Sequence, residues 1–100
     1  VAEESGMDWL VNWYARHCNG DWEHSFGIAI DTLDNPGWRL KIELTGTALE
    51  TIAFDEIRHN YEDDASWWVC FRRDNTFHAA CGALDLAAVI AIFKAWSEEN

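Results

Sequence analysis

From His17 to His24 the chain reads HCNGDWEH, which gathers two imidazoles, a thiol and the carboxylates of Asp21 and Glu23 into one short stretch. These side-chain types can hold zinc or pair a cysteine nucleophile with a base. Their spacing supports neither use well, because metal ligands need rigid elements and this run straddles a helix end and a turn. A cysteine nucleophile of the sulfur-transfer or phosphatase type would open a loop closed by an arginine. The positions where that arginine would stand after Cys18, Cys70 and Cys81 hold Glu23, Asn75 and Leu86. No G-x-S-x-G elbow, phosphate-binding G-x-x-x-x-G-K-[ST] loop or H-E-x-x-H pair occurs. Asp63 and Asp64 read as turn residues, and His59, on the apolar parity of a strand, reads as a satisfied core histidine. The expectation is a protein without catalysis, metal or cofactor. The competing reading is a small-molecule or metal-binding domain, or an enzyme, built on the His17 to His24 cluster and Cys18.

The elements that must position these residues follow from periodicity. Trp9, Leu10, Trp13, Tyr14 and His17 recur at spacings of three and four, the stripe of an amphipathic helix from Met7 to Cys18 that Asn19 and Gly20 end. The period then becomes two. Phe26, Ile28 and Ile30 share one side of a strand, and Trp38, Leu40, Ile42 and Leu44 share one side of the next. Between them DNPG predicts a type II turn, with Pro36 presetting the first central φ and Gly37 supplying a positive φ at the second. TALETIAF is ambiguous between a helical turn and an edge segment. Alternation resumes at Ile57, His59 and Tyr61, at Trp67, Val69 and Phe71 after a polar EDDAS turn, and at Phe77, Ala79 and Cys81.

Leu86, Val89, Ile90, Phe93 and Trp96 then line one face of a closing helix, with Asp85 placed to cap it. The sum is an α+β domain: an N-terminal helix, an antiparallel meander of about five strands and a C-terminal helix, with both helices on one face of the sheet. Residues of the opposite parity should line the uncovered face: Arg39, Lys41, Glu43, Glu56, Arg58, Asn60, Trp68, Cys70, Arg72, His78 and Ala80. Trp67 and Trp68 are adjacent, so they point to opposite faces, and Trp68 is the candidate exposed aromatic.

The chain carries 18 acidic against 7 basic side chains, a net charge of −11. Such a field repels nucleic acid and anionic membranes and speeds encounter with a basic partner. Three widely spaced cysteines suggest neither a disulfide framework nor a zinc knuckle, and a reducing cytoplasm fits them best. The only methionine is Met7, and the preceding VAEESG has no pattern. Residues 1–6 therefore read as a remnant ahead of a single domain spanning residues 7–100. Neither a membrane span nor a secretion leader is apparent.

The run from Trp9 to Trp38, with its W-x3-WY helix, C-x-GDWEH-x-x-G turn and TLDNPGW hairpin, resembles the immunity protein 53 family of bacterial polymorphic toxin systems. The later WWVCF strand, the TFHAACG strand and the helix ending at Phe93 and Trp96 are similar to that family more loosely. In place of a polar, proline-containing approach to this helix, the chain has CGALDL. The resemblance implies a small cytoplasmic protein that binds a cognate toxin and blocks it. Acidity adds a direction, since nucleases have basic clefts: the toxin would present a basic surface, and carboxylates would occlude its active site in place of substrate phosphates. The partner-binding candidates are Asp21, Trp22, Glu23, His24, Asp31 and Asp34, with Trp38 or Trp68 as aromatic anchors. Trp22 and Trp38 also suit a purely structural role beside turns. A third reading is an adaptor that extends a sheet edge to a peptide. Neither the toxin's identity nor the oligomeric state follows from the sequence.

Overall fold

A computed structural model describes residues 6–34, 36–59 and 66–100. The chain opens with helix α1, Gly6–His17, which buries Trp9, Leu10 and Trp13. Asp8 in its first turn and Arg16 and His17 in its last complement the helix dipole. A short helix α2, Trp22–Ser25, occupies part of the expected turn. Strands β1 (Ile28–Leu33), β2 (Gly37–Glu43), β3 (Ile57–His59), β4 (Trp68–Arg73) and β5 (Thr76–Gly82) follow, and helix α3, Leu86–Glu99, closes the chain.

All strand pairs are antiparallel, in the order β1-β2-β5-β4-β3. The five expected strands are present, and the path between them departs from a simple meander at one point. After β2 the chain crosses to the far edge and returns through β3 and β4, which places β5 in the centre against β2. Both terminal helices pack on one face. There Trp9, Leu10 and Trp13 of α1 and Val89, Ile90, Phe93 and Trp96 of α3 form one core with Leu40, Ile42, Cys70, Phe77, Ala79 and Cys81 of the sheet. Phe93 is its hub, with ring centroids 5.0 Å from Phe77 and 5.3 Å from Trp13, spacings at which aromatic rings attract beyond their buried area.

The crossing connector, left ambiguous by its sequence, is a series of turns from Thr45 to Thr51 held from below by one arginine. The Arg72 guanidinium donates to the carbonyls of Leu49 (2.7 Å), Ile52 and Glu50 and to Asn75 Oδ1. The indole of Trp96 adds a bond to the Ala53 carbonyl at 3.1 Å. Turns at the sheet surface leave carbonyls without ladder partners, and these two side chains satisfy several of them.

The register corrects the expected parity of β4. Trp68 pairs with Cys81, Cys70 with Ala79 and Arg72 with Phe77, so Trp68, Cys70 and Arg72 share the helix-covered face. Val69, Phe71 and Arg73 take the open one. Apolar residues on both sides of WWVCF made the two phases indistinguishable by pattern, and Arg72 looked like an exposed charge although it clamps the connector.

Two turn expectations also change. Gly37 does not adopt a positive φ; among the described glycines only Gly20 and Gly46 do. It is instead the first residue of β2, paired with Leu33 and Gly82, where a Cβ would lie 2.3 Å from the Cys81 carbonyl oxygen. Close backbone approach, rather than turn geometry, selects glycine there. Asp85 stands at the N-cap of α3, but its carboxylate makes no bond to the helix. It accepts the Trp67 N–H at 3.0 Å and the Ser66 hydroxyl at 3.3 Å, tying the entry of β4 to the start of α3. Asn60, Tyr61 and all of the expected EDDAS turn but Ser66, including Asp63 and Asp64, lie outside the described residues, as do residues 1–5.

Candidate functional site

The GDWEH stretch is a helix entry built from its own polar side chains. Asn19 Oδ1 accepts the N–H groups of Asp21 and Trp22, each at 3.0 Å, and the Glu23 carboxylate reaches back to the N–H groups of Asn19 (2.9 Å) and Gly20 (2.8 Å). The exchange satisfies donors that a helix start would otherwise leave open, as a capping box does. Hydrogen bonds from the backbone N–H of Glu23 itself, then from those of Asn19 and Gly20, hold this carboxyl below its ordinary pKa. Gly20, at φ +96°, supplies the left-handed residue the bend needs.

Trp22 points inward from this turn. It is buried, edge-on to Trp13 and beside Tyr14, His17 and Phe26, and its indole N–H donates to the Thr45 carbonyl at 2.7 Å. His17 Nδ1 lies 2.7 Å from the Trp13 carbonyl, and the exposed Cys18 thiol donates to the Tyr14 carbonyl at 3.3 Å. His17, Cys18 and Glu23 therefore serve separate local bonds. Among the described residues, no three His, Cys, Asp or Glu side chains converge as a metal site would require. Burial raises the other two thiols, Cys70 to about 12, with the neighbouring Cys81 adding to it, and Cys81 to about 11. Both stay protonated at neutral pH, and a protonated thiol is a poor nucleophile.

The remaining candidates lie elsewhere. Asp31 is exposed on the open face of β1 and pairs with Arg39 at 2.9 Å, both side chains about half exposed. Asp34 is exposed in the hairpin turn. Trp38 is half-buried on the covered face, with its indole N–H on the Ala83 carbonyl at 2.9 Å. Trp68, expected on the uncovered face, is corrected to the covered one, where it packs half-buried against the core and stacks on His59 at 4.0 Å. His59 is itself exposed on an edge strand, contrary to its expected core position. Asp21, Glu23 and His24 sit near one end of β1, and Asp34 sits at the other, roughly 20 Å along a six-residue strand. The acidic candidates thus form two groups.

The open face carries a set that single-residue reading undervalued. Across one rung Lys41, His78 and Phe71 are partners, and Arg39 and Arg73 flank them. The His78 ring stacks on Phe71 at 5.0 Å, and the Arg73 guanidinium lies 5.1 Å from the Phe71 centroid. Burial first, then the charges of Lys41, Arg73 and Arg39, pushes the His78 imidazole below its ordinary pKa, with Asp74 opposing. With Arg58 added, this face gathers basic residues in a strongly acidic chain. The corrected parity of β4 is what brings Phe71 and Arg73 to it. A shallow cavity of about 390 Å³ opens beside Lys41, Glu43, Thr76 and His78.

No helix among the described residues is long and apolar enough to cross a membrane. The sequence model of one family, immunity protein 53, matches residues 7–98. No curated protein and no solved structure matches the chain.

Proposed function

The chain belongs to the immunity protein 53 family, and from that membership we propose that it binds a cognate bacterial polymorphic toxin in the cytoplasm and neutralises it without catalysis of its own. The family match over nearly the whole chain carries the reading. We read the toxin as a nuclease held by occlusion of its active site. The support for that is charge: a net −11 suits a cleft built to hold polyphosphate.

In this account the exposed Asp21, His24, Asp31 and Asp34 and the half-exposed Glu23 supply the rim that meets the basic surface, and charge complementarity speeds association. Trp38 and Trp68 retain exposed parts that can enter the contact, while Trp22 fixes the turn that presents its neighbours. Because the Glu23 carboxylate closes that turn, Asp21 and Asp34 are the cleaner probes of the surface.

The test is capture from the native host, with the toxin-like product of the neighbouring gene assayed for binding and for relief of toxicity. Tight binding with neutralisation is the expected result. Absence of binding to any neighbouring or captured toxin would overturn the reading.

A further inference from the structure

The two edges of the sheet are unlike each other. The described residues of β3 are three, all exposed, and include Arg58, which puts a positive charge on that edge. β1 is six residues long, pairs with β2 in unbroken register and contains neither lysine, proline nor a bulge; its one charged side chain, Asp31, projects from the open face, where it is paired with Arg39. Edge strands of soluble proteins normally carry at least one of those guards, because a regular free edge is a template for another strand.

The phase of the ladder identifies the free groups. The Glu43 N–H donates to the Gly27 carbonyl at 3.0 Å, so the hydrogen-bonded pairs with β2 are Ala29 with Lys41, Asp31 with Arg39 and Leu33 with Gly37. The N–H and C=O groups of Ile28, Ile30 and Thr32 therefore point away from β2, where no further strand lies among the described residues. The side chains of Ile28 and Ile30 border a groove of about 190 Å³ shared with Met7, Leu10, Val11 and Tyr14 of α1. Met7, Val11, Tyr14 and Ile30 are four of the six large apolar side chains left exposed among the described residues, and all four fall in this groove. Among the described residues an apolar strip and a regular edge without lysine, proline or bulge thus coincide.

We propose that this surface is the interface of a symmetric dimer, in which β1 pairs antiparallel with β1 of a second copy and α1 packs against its own counterpart. The β1 sequence is self-complementary about Ile30: with Ile30 opposite its copy, Ile28 faces Thr32 and Ala29 faces Asp31. The two Asp31 carboxylates are thereby not opposed, and about six backbone hydrogen bonds join Ile28, Ile30 and Thr32 of the two chains. The twofold axis stands perpendicular to the sheet, so both α1 helices lie on the same face and their apolar strips meet. Charge favours this location as well. Two chains of net charge −11 repel, and a dimer must form through a charge-poor patch; in this groove every lining side chain is uncharged.

Sedimentation equilibrium of the full chain at micromolar concentration tests the proposal, together with hydrogen exchange at two concentrations. A dimer is expected, with the amides of Ile28, Ile30 and Thr32 protected more strongly as concentration rises. Val11→Glu places a charge in the seam, and Thr32→Pro removes one outward N–H while sparing the ladder to β2; each should yield a monomer with an unchanged circular dichroism spectrum. A monomeric parent, a dimer unaffected by both variants, or protection of these amides only when a toxin is added would overturn the proposal. The first two outcomes are independent of whether the chain neutralises a toxin, and the third would make this edge the toxin contact instead.

Discussion

The indole N–H of Trp22 donates to the carbonyl of Thr45 at 2.7 Å, joining the turn after α1 to the connector after β2 across 23 residues of chain. The same ring would meet a side chain placed on Gly46, whose φ of +80° already favours glycine. The most distinctive residue of the GDWEH stretch therefore acts first on the fold. Trp22→Phe should cost about 1 kcal/mol through the lost bond, and Trp22→Ala about 3–5 kcal/mol through the cavity left behind. Urea denaturation measures both, and a neutral Trp22→Ala would contradict the assignment.

Arg72→Lys tests the clamp on the connector. A lysine ammonium cannot span the carbonyls of Leu49, Glu50 and Ile52 together. A loss of about 2 kcal/mol is expected from the carbonyls left unsatisfied, with faster amide exchange in residues 45–52. Unchanged exchange there would show that the turns hold without Arg72.

Gly37→Ala should be destabilising by about 2 kcal/mol or more, since the added carbon would have to displace the backbone of β5 at Cys81. A turn glycine of positive φ would be sensitive for another reason and would tolerate asparagine; Gly37→Asn should be at least as damaging as alanine. Thermal unfolding of the two variants separates these accounts.

Acidification should weaken the fold in two separate windows. The folded-state pKa of His78 is depressed, so the unfolded chain takes up its proton first as pH falls through 6.5, and stability declines until the folded form is protonated too. His78→Gln should flatten that segment of the stability profile. Glu23, also depressed, acts lower: its contribution is present above 4.5 and is lost as pH falls through its folded value. A profile flat across the first window would contradict the environment assigned to His78.

Thiol reactivity should follow burial. Cys18 is exposed, whereas Cys70 and Cys81 are buried with pKa values raised to about 12 and about 11. A thiol reagent should therefore modify Cys18 alone in the native protein and all three cysteines after denaturation. Native labelling of Cys70 or Cys81 at a comparable rate would contradict the core described above.

The sequence made the terminal helices and the β1-β2 hairpin legible because each buries only one face. Trp9, Leu10 and Trp13, or Leu40 and Ile42, repeat with the period of their element. The phase of β4 was not legible, since Trp67, Trp68, Val69, Cys70 and Phe71 offer apolar residues to both sides. Only pairing with Phe77, Ala79 and Cys81 decides it. The central placement of β5 was likewise hidden, because strand order depends on where the connector crosses and not on any local pattern. At the candidate site, the exposed carboxylates could be found from turns and charge. The row of Lys41, His78 and Phe71 could not, because those residues are far apart in sequence and meet only through the register of three strands.

Neutralisation of a toxin by binding is tested by titrating the purified toxin-like product of the neighbouring gene with this protein while its activity is followed. Complete loss of activity near equal molarity is expected, with slower association for Asp21→Lys and Asp34→Lys and the fold unchanged. Toxin activity undiminished by an excess of the protein would contradict it.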